Sequence, residues 1–156
     1  MQVYLNNQQK DLSIKLDLIP QIVQSVLTIE SAHTDELSIQ FVSRSEICQL
    51  HEEHFDDPSP TDCISFPLDS EPASPGIHHV LGEVFVCPKT AKLYALENNT
   101  DEYDECLLYL VHGLLHLLGY DDIEDSDREK MREAEARNMQ ELKKQNLDLR
   151  PLNIEK

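Results

Sequence analysis

Tryptophan is absent from this sequence of 156 residues, and aromatic residues make up only 6% of it. So few aromatic side chains argue against the broad stacking surface with which RRM-type domains bind RNA bases. Positive charge is also scarce: thirteen Lys and Arg stand against thirty Asp and Glu, a formal net charge of −17. Nonspecific binding to a polyanion through many phosphate contacts is therefore not expected. If nucleic acid is the substrate, something other than overall charge must hold it.

Long apolar runs and paired cysteines are lacking as well. The first residues, MQVYLNNQQKDLSIKLD, contain no uninterrupted apolar run of the kind found in signal peptides or membrane helices. The four cysteines are scattered and form no C-x-x-C pair, which argues against a disulfide framework or a four-cysteine zinc site. We expect a reduced, soluble, cytoplasmic protein with no membrane segment. Three of the cysteines lie in apolar runs, where Cys commonly behaves as a small buried residue: Cys63, Cys87 and Cys106.

The order of the predicted elements favours the α+β class. The length fits one domain, spanning residues 1–156, and a hydrophobic content of 40% suffices for one core. Strands are predicted near residues 3–5, 36–42, 63–66 and 81–87. Helices are predicted after Asp17 and Ser43, each acting as a cap, and over residues 88–96, 102–118 and about 125–145. Strands come early and long helices late, as in a layered α+β domain.

Charge is distributed unevenly along the chain. Between residues 97 and 129 there are eleven acidic residues and one basic residue, Arg128. Seven of the thirteen Lys and Arg follow between Arg128 and Arg150. This C-terminal stretch is interpreted as a solvated helix with i,i+4 ion pairs such as Glu133–Arg137. The alternative is a cationic strip that contacts phosphate despite the net negative charge.

The stretch VHGLLHLLGYDD, residues 111–122, carries the residues with metal chemistry. His112 and His116 are four residues apart, so on a helix both imidazoles lie on one face and can reach one ion. Gly119 can end that helix in a left-handed conformation and carry Asp121 or Asp122 back toward the histidines. Two nitrogens and one carboxylate oxygen leave a fourth position for water, as in catalytic zinc sites. The spacing alone is also compatible with two histidines that only pack the helix.

The same stretch resembles the motif H-G-x-L-H-L-x-G-Y-D-H of the YbeY family, bacterial rRNA-maturation metallo-endoribonucleases. The segment PTDCISFP, residues 60–67, is similar to the family's P-T-D-V-L-S-F-P, and LGEV, residues 81–84, is similar to its L-G-D-I. Met131 falls where the family often has Met after the metal-binding turn. These matches follow the family's order over about residues 37–131, so the chain is identified as a member.

The resemblance implies a small α+β fold with a mixed sheet of about four strands packed with helices. Its metal site, with one zinc ion, would lie on the central apolar helix and the turn after it. His112 and His116 would be two ligands, and Asp122 stands where the family has its third, a histidine; Asp121 is the alternative. A site with two histidines and one carboxylate can also hold Fe(II), Mn or Ni. No side chain is assigned as a general base.

The activity that the resemblance implies is endonucleolytic cleavage of single-stranded RNA. The implied roles are maturation of the 16S rRNA 3′ end and ribosome quality control, with ribosomal RNA and the small ribosomal subunit as partners. The family's Tyr-Arg, six or seven residues before Thr-Asp, is replaced here by His54 and Phe55. Because charge on a phosphodiester transition state needs a cation, His54, Lys89 or a residue of the last helix would have to replace that arginine. The other histidines are expected at the surface or have no assigned role: His33, His51, His78 and His79.

Two other functions compete with the nuclease. A metalloprotease of the metzincin type has similar histidine spacing, but it needs Glu directly after the first histidine, where this chain has Gly113. A ribosome-assembly factor that binds, with a mainly structural metal and weak or no nuclease activity, is favoured by Asp122, by the missing arginine and by the charge of −17. An acidic surface complements basic ribosomal proteins better than rRNA. Nuclease activity should require His112 and His116, whereas binding should survive their substitution.

Overall fold

The computed structural model describes residues 1–151, which form one four-stranded sheet with five helices. The strands are β1 (Gln2–Asn7), β2 (Glu36–Phe41), β3 (Cys63–Pro67) and β4 (Val80–Val86), in the sheet order β1-β2-β4-β3. β1, β2 and β4 run parallel, while β3 pairs antiparallel with β4. This mixed sheet confirms the predicted α+β class. The prediction of a single domain stays a prediction, and its last five residues, 152–156, lie outside the described residues.

The helices are α1 (Ile19–Ile29), α2 (Arg44–Phe55), α3 (Pro88–Asn98), α4 (Glu102–Leu117) and α5 (Asp125–Lys144). Ser43 caps α2 as predicted, because its hydroxyl accepts from the backbone N–H of Glu46. The predicted cap Asp17 of α1 is wrong. Leu18 occupies the N-cap position with helical dihedral angles and no side-chain cap, so Asp17 lies one residue too early to reach the free N–H groups.

The sheet is covered on both faces. Leu37, Ile39 and Phe41 alternate along β2 and are buried in the main core with the apolar faces of α1, α4 and α5. Successive residues of β4 point to opposite faces: Val84 belongs to this core, whereas Phe85 packs in a smaller cluster that includes residues of α2 and β3. α4 therefore lies in the main core, covered by the sheet and by the other helices.

The middle of α4 approaches the sheet closely at Gly113. A Cβ atom built there would lie 2.5 Å from Cγ1 of Val84, so only glycine allows this helix to pack so near β4. The hydroxyl of Ser65, on β3, donates to the carbonyl oxygen of Gly113 at 2.9 Å. These contacts set the position from which the neighbouring His112 and His116 project.

All four cysteines are free thiols. Cys87 and Cys106 are fully buried as expected, whereas Cys63 is only partly buried because it lies on the edge strand β3. Burial raises the pKa of the Cys106 thiol far above its usual range. In the described range 1–151, no helix combines the length and the apolar content needed to cross a membrane.

Candidate metal centre

The chain leaves α4 through a Schellman turn. The N–H of Gly119 donates to the carbonyl of His116 at 3.0 Å, and the N–H of Tyr120 donates to the carbonyl of Leu115 at 3.0 Å. Gly119 has φ of +104°, a backbone region that favours glycine, as predicted for this position. The turn brings the carbonyl oxygen of Tyr120 to 2.9 Å from Nδ1 of His116. The end of the helix thus orients one of the two histidines.

A second, tighter turn returns the chain toward the histidines. Oδ1 of Asp121 accepts from the backbone N–H groups of Asp122 at 2.7 Å and Ile123 at 3.3 Å. Asp122 then places Oδ2 3.4 Å from Nε2 of His112 and 3.5 Å from Nε2 of His116. Of the two aspartates that the sequence left open, the structure brings Asp122 to the histidines, while Asp121 shapes the turn.

The two imidazoles point their Nε2 atoms at each other, 3.0 Å apart. Nδ1 of His116 faces the Tyr120 carbonyl, which can only accept, so this nitrogen carries the proton and Nε2 keeps its lone pair. Nδ1 of His112 lies 2.6 Å from Oε2 of Glu135, which makes it the protonated nitrogen in the neutral ring. Two lone pairs and a carboxylate oxygen therefore converge, an arrangement that a cation between them stabilises.

His112, His116 and Asp122, here called the His–His–Asp cluster, fit a divalent metal ion. Their donor atoms are separated by 3.0, 3.4 and 3.5 Å. Ligands on a tetrahedral zinc ion with bonds of about 2.0–2.1 Å lie about 3.3 Å from one another. Within residues 1–151, this is the one group of three such side chains whose ligand atoms all lie within 4.8 Å of each other. The mixed nitrogen and oxygen donor set leaves the identity of the metal open.

Glu135, on α5, binds the ring nitrogen of His112 that points away from the cluster. Its side chain is only 7% exposed, and it binds His112 through one oxygen and Nη1 of Arg132, at 2.9 Å, through the other. Burial opposes the charged forms, but this hydrogen bond and the paired charges outweigh it. The pKa of His112 is therefore raised and that of Glu135 is lowered. Sequence reasoning missed Glu135, although a carboxylate on the buried face of α5, four residues after Met131, was an available signal.

A second buried carboxylate, Glu30, binds Tyr120 in the turn after α4. It accepts from the hydroxyl of Tyr120 at 2.6 Å, from Nη2 of Arg137 at 2.9 Å and from the amide of Asn138 at 2.8 Å. Burial opposes ionisation of Glu30, yet the hydrogen bonds from Arg137, Tyr120 and Asn138 lower its pKa. The predicted Glu133–Arg137 pair is wrong, because Arg137 reaches this buried acceptor instead of an exposed neighbour on its own helix.

The C-terminal stretch of positive charge is only partly the solvated helix that the sequence predicted. Two of its arginines form local pairs, and two form tertiary pairs with residues far away in the sequence. Arg150 lies beyond the end of α5 and pairs with Asp101, the N-cap residue of α4. The four pairs are Arg128–Asp125, Arg132–Glu135, Arg137–Glu30 and Arg150–Asp101.

The candidates to replace the family's arginine differ in whether they are bonded to the cluster. Among the described residues, no hydrogen bond or ion pair joins His54 or Lys89 to the His–His–Asp cluster. The ring of His54 packs edge-on against Phe66 instead, with ring centroids 4.8 Å apart. Arg132, on the last helix, is linked to His112, but only through Glu135. Phe55, which stands at the arginine position, ends α2 with its ring largely exposed.

The histidines outside the cluster fall into two groups. His33 and His78 are exposed as predicted. The prediction that His79 lies at the surface is wrong, since it is buried with Nδ1 2.8 Å from the hydroxyl of Thr34 and Nε2 2.8 Å from the carbonyl of Glu71. The segment between α1 and β2 thus binds one ring nitrogen, and the loop before β4 binds the other. The sequence left the role of His51 open. In the structure, Nδ1 of His51 lies 2.9 Å from the carbonyl oxygen of Ser59.

The fold and the cluster define a small α+β protein with a two-histidine, one-carboxylate candidate metal centre at the end of its central helix. The family model described as "Endoribonuclease YbeY" matches residues 4–143, and the chain belongs to this family. The family resemblance drawn from the sequence motifs is thereby confirmed.

Individual relatives agree with this family. The Endoribonuclease YbeY of Protochlamydia amoebophila is 51% identical over 139 residues, covering 89% of this chain and 91% of the relative. That of Chlamydia trachomatis serovar D is 40% identical over 151 residues, covering 96% and 93%. The solution structure of TM1509 from Thermotoga maritima is similar with a TM-score of 0.62 and 26% identity, and the match covers 90% of this chain and 89% of that one. Both the sequence and the fold thus match over most of the chain.

Proposed function

We propose that this protein is a metal-dependent endoribonuclease that cleaves single-stranded RNA. The observation that carries the proposal is the convergence of three potential metal-ligand atoms, from His112, His116 and Asp122, in a member of a family named for endoribonuclease activity. We further propose that it acts in 16S rRNA 3′-end maturation and ribosome quality control. Its partners would be ribosomal RNA and the small ribosomal subunit, in the cytoplasm, with a basic ribosomal protein as a further partner for its acidic surface.

In this mechanism, the His–His–Asp cluster holds one divalent ion, zinc or another transition metal. When bound, such an ion supplies Lewis acidity that activates water and withdraws charge from a phosphodiester. Three protein ligands leave an open position, as catalytic centres require. Asp122 is partly exposed, with 41% of its side chain accessible, so the open side of the cluster faces solvent and can admit a substrate.

The protein's own side chains hold the ligands in one geometry. Glu135 accepts a hydrogen bond from Nδ1 of His112, and the Tyr120 carbonyl accepts one from Nδ1 of His116, so both Nε2 atoms stay available. The carboxylate of Asp121 accepts from the backbone N–H of Ile123, two residues on, and so closes the turn in which Asp122 approaches the histidines. These contacts arrange the donors before any ion binds, which reduces the reorganisation needed at the moment of reaction.

The test is metal content and RNA cleavage measured on the same preparations. Elemental analysis of the wild-type protein is expected to find about one divalent ion per chain, and His116→Ala and Asp122→Ala are expected to lose most of it. His33→Ala, an exposed histidine, is the matched control and should keep its metal. Cleavage of single-stranded RNA should fall at least about 100-fold in His116→Ala, with duplex RNA resistant throughout. A wild-type protein that neither carries nor takes up metal would overturn the proposal.

A ribosome-assembly factor with a mainly structural metal is the second candidate. It is favoured by the net charge of −17 and by Phe55 at the position where the family has arginine. Binding to the small ribosomal subunit should then persist in His116→Ala, provided that circular dichroism shows the variant folded. A wild-type protein that binds the subunit but cleaves no RNA in the presence of metal would favour this candidate over the nuclease.

A further inference from the structure

A cleft of about 340 Å³ opens directly beside the candidate metal centre. Its walls are formed by the end of α2, by the strand β3 and the residues just before it, and by His116 of the cluster. Its size lies at the lower end of the range of about 300–1,000 Å³ that is common for small-molecule sites. Because His116 belongs to both, a group held in this cleft would lie next to the proposed metal position.

Part of the cleft wall is aromatic. Phe55 is 56% exposed, an unusual position for a large apolar ring, and it contributes to the cleft. The ring of His51 lies beside it, with centroids 5.5 Å apart, and is held in place by the hydrogen bond to the Ser59 carbonyl. The cleft therefore presents the exposed ring of Phe55, beside a His51 ring whose orientation is set by a hydrogen bond.

The charge of the cleft disfavours phosphate as its occupant. The lining contains no Lys or Arg among the described residues, and Phe55 stands where the family's arginine is expected. Asp122 of the cluster and the net charge of −17 also disfavour an anion. Stacking of a base on an aromatic ring needs no positive charge and contributes substantially to binding of single strands.

We propose that this cleft holds one unpaired nucleobase of the RNA substrate, stacked on Phe55, with the hydroxyls of Thr61 and Ser65 at its polar side. This assignment rests on the proposed function. It explains how a nuclease with a strongly negative net charge could hold its RNA substrate. A base in a duplex is stacked and paired, so it cannot enter the cleft without first being unpaired. Occupancy of the cleft thus selects single strands and brings the adjoining backbone to His116.

The test is equilibrium binding of a fluorescein-labelled 2′-O-methyl oligoadenylate to the metal-loaded protein, followed by anisotropy. Phe55→Ala is expected to weaken binding about tenfold, the usual effect of losing one stacking platform. Phe55→Tyr should stay within about twofold of wild type, because tyrosine keeps the stacking face. The ratio between wild type and Phe55→Ala should be equal at low and high salt, since no phosphate contact is removed.

The matched control is Tyr4→Ala. Tyr4 is an aromatic residue of similar exposure on β1, at the sheet edge opposite β3, and its removal should leave the affinity unchanged. Equal affinities for wild type and Phe55→Ala, or no binding of the oligonucleotide at all, would overturn the nucleobase cleft even if the wild type cleaves RNA. Weakened binding in Phe55→Ala with no cleavage of unmodified RNA by the wild type would keep the cleft and overturn the nuclease.

Discussion

Glu30 and Glu135 are two buried carboxylates of nearly equal exposure, 6% and 7%, and each binds an arginine of α5. Their remaining partners differ. Glu30 joins α1 to Tyr120 in the turn after α4 and to Asn138 on α5. Glu135 instead reaches Nδ1 of His112, on the far side of the ring from the cluster. A buried carboxylate paired with arginine thus joins elements of the fold at Glu30, whereas at Glu135 it orients a candidate metal ligand.

The comparison of Glu30 with Glu135 separates two effects of a buried ion pair, its contribution to stability and its contribution to metal affinity. A buried charge that loses its partners is strongly destabilising, so the carboxylate with more donors should matter more for stability. A carboxylate behind a metal ligand should matter more for metal affinity, because it fixes the orientation and basicity of the imidazole. Variants at the two positions therefore should have different effects on the free energy of unfolding and on metal binding.

Glu30→Ala is expected to have the largest effect, lowering the free energy of unfolding by about 3 kcal/mol. The hydroxyl of Tyr120, the guanidinium of Arg137 and the buried amide of Asn138 lose their common acceptor. Metal affinity of the folded protein should change less than about threefold, since Glu30 contacts no member of the cluster. Urea unfolding and a competition titration with a chromogenic chelator measure the two quantities.

The control for that variant is Glu133→Ala, an exposed glutamate on α5 that forms no ion pair within the described residues. It should change the free energy of unfolding by less than about 0.5 kcal/mol. If Glu133→Ala is as destabilising as Glu30→Ala, the assignment of Arg137 to Glu30 is wrong.

Glu135→Gln is expected to lower metal affinity about 10- to 100-fold, which corresponds to about 1.4–2.7 kcal/mol. Glutamine keeps the size of the side chain but removes the negative charge that faces His112. The free energy of unfolding without metal should change by about 1 kcal/mol, less than in Glu30→Ala. Isothermal titration with zinc gives the affinity, with Glu133→Gln as the exposed control. An affinity equal to that of wild type would show that Glu135 is structural only, like Glu30.

The contribution of Glu30 should depend on pH in a defined direction. Its pKa is lowered by folding, so its stabilisation is complete above the unfolded-state pKa of about 4.3 and is lost as the pH falls through the lower folded-state pKa. The difference in unfolding free energy between wild type and Glu30→Gln should be about 1–2 kcal/mol and constant from pH 7 to about pH 5. Below about pH 4 it should shrink. Urea unfolding at several pH values measures it, and a difference that grows on acidification would contradict the lowered pKa.

Arg132→Ala should have the smallest effect. This arginine is 71% exposed and touches the centre only through Glu135, so its pair with that carboxylate is largely screened by water. We expect a change in metal affinity of less than about threefold and in unfolding free energy of less than about 0.5 kcal/mol. Lys130→Ala, an exposed neighbour on α5, is the control for the loss of one positive charge. A loss as large as that of Glu135→Gln would make Arg132 part of the orienting network.

Elements with strong local patterns were predictable from the sequence to within a few residues. The alternation of Leu37, Ile39 and Phe41 indicated β2, and the histidine spacing with Gly119 indicated the helix and turn of the candidate centre. The cap of α1 was predicted one residue too early, because the position of a helix start depends on backbone dihedral angles that composition does not set. The local sequence pattern thus predicted which elements exist more accurately than it predicted the residues at which they begin and end.

Side chains that act across the fold were not predictable in the same way. His79 was expected at the surface, yet it is buried, with one ring nitrogen bound by Thr34 before β2 and the other by the carbonyl of Glu71 in the loop before β4. Glu135 and Glu30 were not singled out, although Glu135 binds His112 and Glu30 binds Tyr120 in the turn after α4. Each of these contacts joins residues that nothing in the local pattern connects.

By itself, the sequence determined the α+β class, the family and the pair His112 and His116, because periodicity and motif spacing act over a few residues. The tertiary structure decided that Asp122, rather than Asp121, faces the histidines, since this depends on two consecutive turns after α4. It also decided the partners of Arg137 and His112, which lie 107 and 23 positions away in the chain. Such contacts exist only once the core packs α1 and α5 beside α4, since packing brings the buried carboxylates to donors that the chain order keeps apart.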